Sequence, residues 1–77
     1  MGCSLRLLRL QLEGKPLSQP ELDVLRAAAE GLSARETADR LVKSEHTVTT
    51  QRQAIQAKLG ARNLPHAIAL AFRRRML

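Results

Sequence analysis

The sequence predicts an all-α fold in which four helices follow a short N-terminal arm. Two Ser-x-x-Glu pairs, Ser18 with Glu21 and Ser33 with Glu36, have the spacing of capping boxes. In a capping box the serine hydroxyl and the glutamate carboxylate satisfy free N–H groups at the start of a helix. Apolar residues downstream recur at intervals of three and four, which is the periodicity of one helix face. Glycines at the ends of two of these stretches favour helix termination.

The first two predicted helices begin at these capping boxes. The first extends from Ser18 to about Glu30, and Gly31 supplies the left-handed residue that ends it. Its predicted apolar face consists of Leu22, Leu25, Ala28 and Ala29. The second helix extends from Ser33 to about Val42, and its inward side chains are Ala38 and Leu41.

The third and fourth helices are bounded by similar signals. Ser44 caps the third helix and Gly60 ends it. Its predicted buried face consists of Val48, Ile55 and Leu59. The fourth helix extends from Asn63 to about Arg74, with Pro65 in its first turn, where proline is tolerated.

The fourth helix is apolar nearly all round, and such a helix requires burial on two sides. One side is expected to pack on the domain and the other on a second copy of the chain, because so small a domain has little else to cover it. The expected dimer interface consists of Leu64, Ile68, Ala69, Leu70 and Phe72. The alternative is that both sides are buried within the monomer.

The chain divides into an arm of residues 1–16 and a domain of residues 17–77. Leucines in the arm alternate as in a strand, but Leu5, Leu8 and Leu12 fit one helix face equally well. Because leucines should not remain in water, the arm is expected to cover the core or to bind a partner protein.

Length and composition exclude several classes of protein. A chain of 77 residues forms one small domain, which buries only roughly 60% of its unfolded surface; a large catalytic cleft, and hence an enzyme, is not expected. With Cys3 as the lone cysteine and no Cys/His cluster at zinc spacing, no disulfide, metal or cofactor is expected. The apolar runs are far shorter than the roughly 20 residues that cross a bilayer, so we expect a cytoplasmic protein without a membrane segment.

The positive charge is concentrated in the second half of the chain. The net charge is +6, yet residues 18–42 hold three arginines against five acidic residues. Residues 43–77 hold seven lysines and arginines against Glu45 alone. A polyanion such as DNA is the natural partner of that half. A solvated basic tail is the alternative.

The third predicted helix carries hydroxyls, amides and cations on its polar face. These groups hydrogen-bond base edges and phosphate oxygens, so the residues alone suggest a helix that enters the major groove of DNA. The two histidines, His46 and His66, belong to different helices and lack companion ligands, and plain polar roles are expected for them.

Several motifs in order resemble the LuxR/GerE-type helix-turn-helix domain. The matching segments are residues 17–25, residues 30–38, His46-Thr47-Val48 and residues 55–63, which include Lys58-Leu59-Gly60. The resemblance covers residues 17 to about 74. It implies a four-helix DNA-binding domain of bacterial transcription regulators, with the third helix in the major groove and the fourth often forming the dimer interface.

The resemblance also implies roles for individual residues. The positions that match the family's base readers are Thr49, Thr50 and Gln53. Contacts to the DNA backbone are expected from Ser33, Arg35, Lys43, Thr47, Arg52 and Lys58; of these, Ser33 and Thr47 stand at helix starts, where hydroxyls and free N–H groups favour phosphate. Thr49 stands where the family frequently has a basic residue, so a strong contact to guanine or phosphate is expected to be missing.

The 16 residues that precede the matching region are too few for a receiver or ligand-binding domain, so the resemblance suggests a stand-alone regulator of bacterial or phage type. The expected function is sequence-specific regulation of transcription by a dimer that reads a pseudo-palindromic site in double-stranded DNA. The alternative is a co-regulator or anti-activator that acts on another regulator or on RNA polymerase, through the arm or a mixed dimer. An architectural DNA binder with little specificity is a third possibility.

Overall fold

A computed structural model describes residues 12–77 and confirms the all-α prediction for them. The helices are α1 (Gln19–Ala29), α2 (Ala34–Leu41), α3 (Glu45–Leu59) and α4 (Leu64–Arg73). Most of the leucine-rich arm, residues 1–11, lies outside the described residues, so its predicted conformation and partner are not tested. None of the helices within residues 12–77 is long and apolar enough to cross a membrane.

The predicted caps are present at all four helix starts. In the first capping box the Ser18 hydroxyl accepts the Glu21 N–H at 3.4 Å, and the Ser18 N–H donates to the Glu21 carboxylate at 2.9 Å. The box at Ser33 has the same two bonds, at 3.1 and 2.9 Å. Ser44 caps α3 and Asn63 caps α4.

Helix α1 ends as the sequence predicts, at a glycine in the left-handed conformation. Gly31 has a φ of 92°. The N–H of Leu32 donates to the Ala27 carbonyl at 3.1 Å, and that of Gly31 donates to the Ala28 carbonyl at 3.0 Å. This pair of bonds is a Schellman motif, which satisfies carbonyls that the end of the helix leaves free.

The turn between α2 and α3 departs from the prediction. The sequence placed Val42 in the helix, but its φ of 55° is left-handed and it ends α2 instead. The Lys43 N–H then closes the turn on the Ala38 carbonyl at 3.0 Å. A β-branched residue rarely adopts this conformation, and the Val42 side chain is 91% exposed, so packing does not compensate for the strain.

The core lies where α3 packs against α1, α2 and α4. Its buried side chains are Val24, Leu25, Ala38, Val48, Ile55, Leu59, Ala61, Ala67 and Ala71. The predicted apolar face of α1 was partly wrong, because Leu22 and Ala29 are only half-buried while Val24 and Ala27 are buried. Helix α1 contacts all three other helices, so its buried surface is wider than a single apolar stripe.

Replacement of Val42 by glycine is expected to stabilise the fold. Glycine adopts the left-handed conformation without a Cβ clash, which should raise the free energy of unfolding by about 1 kcal/mol. Urea denaturation measures the change. The matched control is Val42→Ala, which shortens the side chain but retains the Cβ and should gain less. A lower urea midpoint for Val42→Gly than for the wild type would show that the valine is not strained.

Candidate nucleic-acid interface

Helix α3 is held by its second half and exposes its first half. From residue 45 to residue 54, Val48 is the one buried side chain. In the second half Ile55, Ala57 and Leu59 are all buried. The exposed side chains of the first half are Glu45, His46, Thr47, Thr49, Thr50 and Gln53. This part of α3 therefore packs on the core through Val48 and presents its other side to solvent, which is the geometry needed to enter the major groove.

The three predicted base readers all lie on this exposed first half. The side chains of Thr50 and Gln53 make no hydrogen bond with another described residue, so their donors and acceptors face solvent. The Thr49 hydroxyl instead donates to the Glu45 carbonyl at 3.0 Å. Its single proton is therefore occupied within the helix, and Thr49 offers its methyl group and an acceptor oxygen.

The predicted hydroxyl contacts lie at the starts of α2 and α3. The Thr47 N–H donates to the Ser44 hydroxyl at 3.0 Å, and that hydroxyl donates to the Thr47 hydroxyl oxygen at 2.8 Å. The exposed Thr47 hydroxyl thus keeps its own proton for a further acceptor. Ser33 is instead engaged with Glu36, whose pKa is lowered by the Ser33 backbone N–H and hydroxyl. The start of α2 therefore already holds a carboxylate.

Three of the four predicted backbone-contacting cations bond to protein groups. The Lys43 ammonium donates to the Gln51 side-chain oxygen at 3.1 Å. The Arg52 Nη2 donates to the Leu32 carbonyl at 2.9 Å and so joins α3 to the turn between α1 and α2. Lys58 pairs with an acid on α1. Among the described residues, Arg35 is the exposed cation of this set that has no partner.

Lys58 and Glu21 form an ion pair that joins α3 to α1. The Lys58 Nζ lies 2.6 Å from the Glu21 Oε1, and the two side chains are 15% and 11% exposed. The same carboxylate oxygen accepts the Ser18 N–H of the capping box. The Lys58 carbonyl also accepts the Gly14 N–H at 2.9 Å. One residue therefore ties the end of α3 to the start of α1 and to the segment that precedes it.

The hydrogen bonds to Glu21 determine the direction of its pKa shift. Burial raises the pKa of this carboxyl, but the bonds from Lys58 and from Ser18 outweigh burial and leave the pKa below its ordinary value of 4.5. Glu21 is thus a carboxylate in the folded domain at neutral pH, as the ion pair requires.

Sequence reasoning placed Thr49, Thr50 and Gln53 on an exposed helix face, as the structure has them, but missed the internal partners of the cations. Glu21 was assigned only to its capping box, and no local signal connects it with a lysine 37 positions away. The Leu32 carbonyl is equally invisible in the sequence, because it becomes an acceptor only when the turn and α3 meet.

Helices α2 and α3, joined by the three residues Val42 to Ser44, form a helix-turn-helix unit with an exposed second helix. The family described as bacterial regulatory proteins, luxR family, matches residues 15–71. The match spans more than half of the chain, and the protein belongs to this family of DNA-binding transcription regulators. A comparison with curated proteins gave no match.

Acid is expected to destabilise the domain through Glu21. Because its pKa is lower in the folded chain than in the unfolded chain, its contribution is complete above about pH 4.5 and is lost as the pH falls through the folded pKa. Urea denaturation at a series of pH values measures the loss.

The Lys58→Met variant is the control for the role of the Lys58–Glu21 ion pair in this pH dependence. It removes one of the bonds that lower the Glu21 pKa, so it should reduce stability at pH 7 and weaken the dependence on pH below 4.5. Glu36 contributes equally in both proteins. An identical pH dependence with and without Lys58 would contradict the assigned role of the ion pair.

Proposed function

We propose that the protein regulates transcription as a homodimer that binds a pseudo-palindromic site, with α3 of each copy in the major groove of one half-site. The observation that carries the proposal is that α3 of the helix-turn-helix unit presents exposed polar side chains along its first half while Val48, Ile55 and Leu59 anchor it in the core. Two recognition helices related by a two-fold axis read half-sites with the same symmetry.

The base contacts in this proposal come from Thr49, Thr50 and Gln53. The Gln53 amide donates and accepts, which matches the N6 and N7 of adenine. The Thr49 methyl group suits the thymine methyl, since the hydroxyl proton of Thr49 is bonded to the Glu45 carbonyl. The exposed Thr50 has its hydroxyl available for a donor or an acceptor on a base.

The phosphate contacts are proposed to come mainly from Arg35 and Thr47, with Ser33 beside them at the start of α2. Arg35 is exposed and Thr47 retains a donor proton. Lys43, Arg52 and Lys58 add positive charge around α3, but their donors bond to Gln51, Leu32 and Glu21. In this proposal they position the recognition helix more than they hold phosphate.

The dimer contact is proposed to lie on α4. The buried side chains of this helix are Ala67 and Ala71, whereas Phe72 is 58% exposed. Of the expected interface residues, Ile68 and Leu70 pack partly on the core of their own copy, Leu64 is half-buried and Ala69 is exposed. A second copy would cover the surface that these side chains leave in water.

The salt dependence of DNA binding should distinguish phosphate contacts from positioning residues. Each phosphate contact contributes about 0.9 to the slope of log affinity against log salt. Because both copies of the homodimer lose a contact, Arg35→Ala should lower the slope by about 2, whereas Lys58→Met should weaken binding with the slope nearly unchanged. Fluorescence anisotropy with one duplex at several salt concentrations gives both slopes. If the slope fell equally in the two variants, Lys58 would contact phosphate, and its proposed positioning role would be wrong.

Selection of the purified chain against a random-duplex pool tests the proposed function directly. A regulator of this kind should enrich a two-fold symmetric motif that persists at the higher of two salt concentrations. With Gln53→Ala, the preference at one position of each half-site should be lost while the rest of the motif remains. Binding without a motif would indicate an architectural protein, and no binding would favour the co-regulator.

A further inference from the structure

His46 lies on the same exposed stripe of α3 as the proposed base readers. Its side chain is exposed and makes no hydrogen bond with another described residue. It precedes Thr50 by one helical turn and Gln53 by two. Sequence reasoning gave this histidine only a plain polar role, because it lacks companion metal ligands in the sequence.

Helix geometry places His46 inside the arc that the base readers define. With about 100° of rotation per residue, Thr49 lies about 60° to one side of His46 and Thr50 about 40° to the other. Gln53 falls between Thr49 and His46. The neighbours Glu45 and Thr47 lie about 100° away on either side, outside the arc. Along the helix axis, His46 lies about 4.5 Å on the N-terminal side of Thr49.

On the exposed face of α3, His46 adds a donor at the N-terminal end, beyond those of Thr50 and Gln53. The Thr49 hydroxyl proton is bonded to the Glu45 carbonyl, and no lysine or arginine is exposed between residues 45 and 54. Guanine presents two acceptors, N7 and O6, in the major groove and is most often read by a cationic donor there. A neutral imidazole carries one N–H donor in every tautomer.

We infer that His46 is a further base-reading residue, whose imidazole N–H donates to a guanine at one position of each half-site. The inference rests on the proposed binding of α3 in the major groove and adds a contact to it. His46 reads a base next to the one that Thr49 or Thr50 reads, because it lies in the same arc at the N-terminal end of α3.

The test compares random-duplex selections for the wild type, His46→Ala and the control Glu45→Gln. Glu45 is exposed on the same turn but outside the arc. His46→Ala should lose the guanine preference at one position per half-site by roughly 5- to 100-fold, with the other positions unchanged. The control should retain every preference. Thermal denaturation should show both variants folded, because both side chains are exposed.

Each other outcome overturns the inference in a recognisable way. If His46→Ala enriches the wild-type motif unchanged, His46 does not touch a base. If it weakens all duplexes equally, His46 contacts phosphate. If the lost preference is for a base other than guanine, the assigned donor is wrong. If the wild type itself enriches no motif, the proposed function fails, and the inference fails with it for that separate reason.

Discussion

The Glu21 carboxylate is the constraint on which the arrangement of the other parts depends. One of its oxygens accepts both the Ser18 N–H that starts α1 and the Lys58 ammonium near the end of α3. A charged pair this far withdrawn from water stabilises only when its geometry and remaining hydrogen bonds are good. Here the capping box supplies the further bond, so the start of one helix orients the acid that fixes the end of another.

That ion pair and the Arg52 bond together help to fix the direction of α3. Lys58 fixes the end of α3 against α1, and Arg52 bonds its middle to the Leu32 carbonyl in the turn before α2. The core side chains Ile55 and Leu59 bury the same half. Val48 also buries the first half of α3 in the core, so the whole helix is anchored and its exposed side chains are held on a fixed element, as precise binding requires. The cations Arg52 and Lys58 thus stabilise the domain through internal bonds.

Local sequence signals predict most of the fold, but they do not reveal contacts between residues that are far apart in the sequence. Capping boxes and terminal glycines predict helix ends within one residue, because a helix end is satisfied by its own neighbours. The left-handed Val42 was missed, since its residue type disfavours that conformation. For the site, the exposed face of α3 was predictable from helical periodicity and resemblance. The internal bonds of Lys43, Arg52 and Lys58 were not, because their acceptors approach only after the helices pack.

The most direct measurement of the central claim is an NMR titration of the isotope-labelled protein with its selected duplex. We expect the largest backbone shifts on residues 45–53 and around Arg35. We also expect intermolecular nuclear Overhauser effects between the methyl groups of Thr49 and Thr50 and protons of the major groove. Shifts confined to α4 or to the basic residues 73–75, with the first half of α3 unchanged, would contradict recognition by the exposed half of this helix.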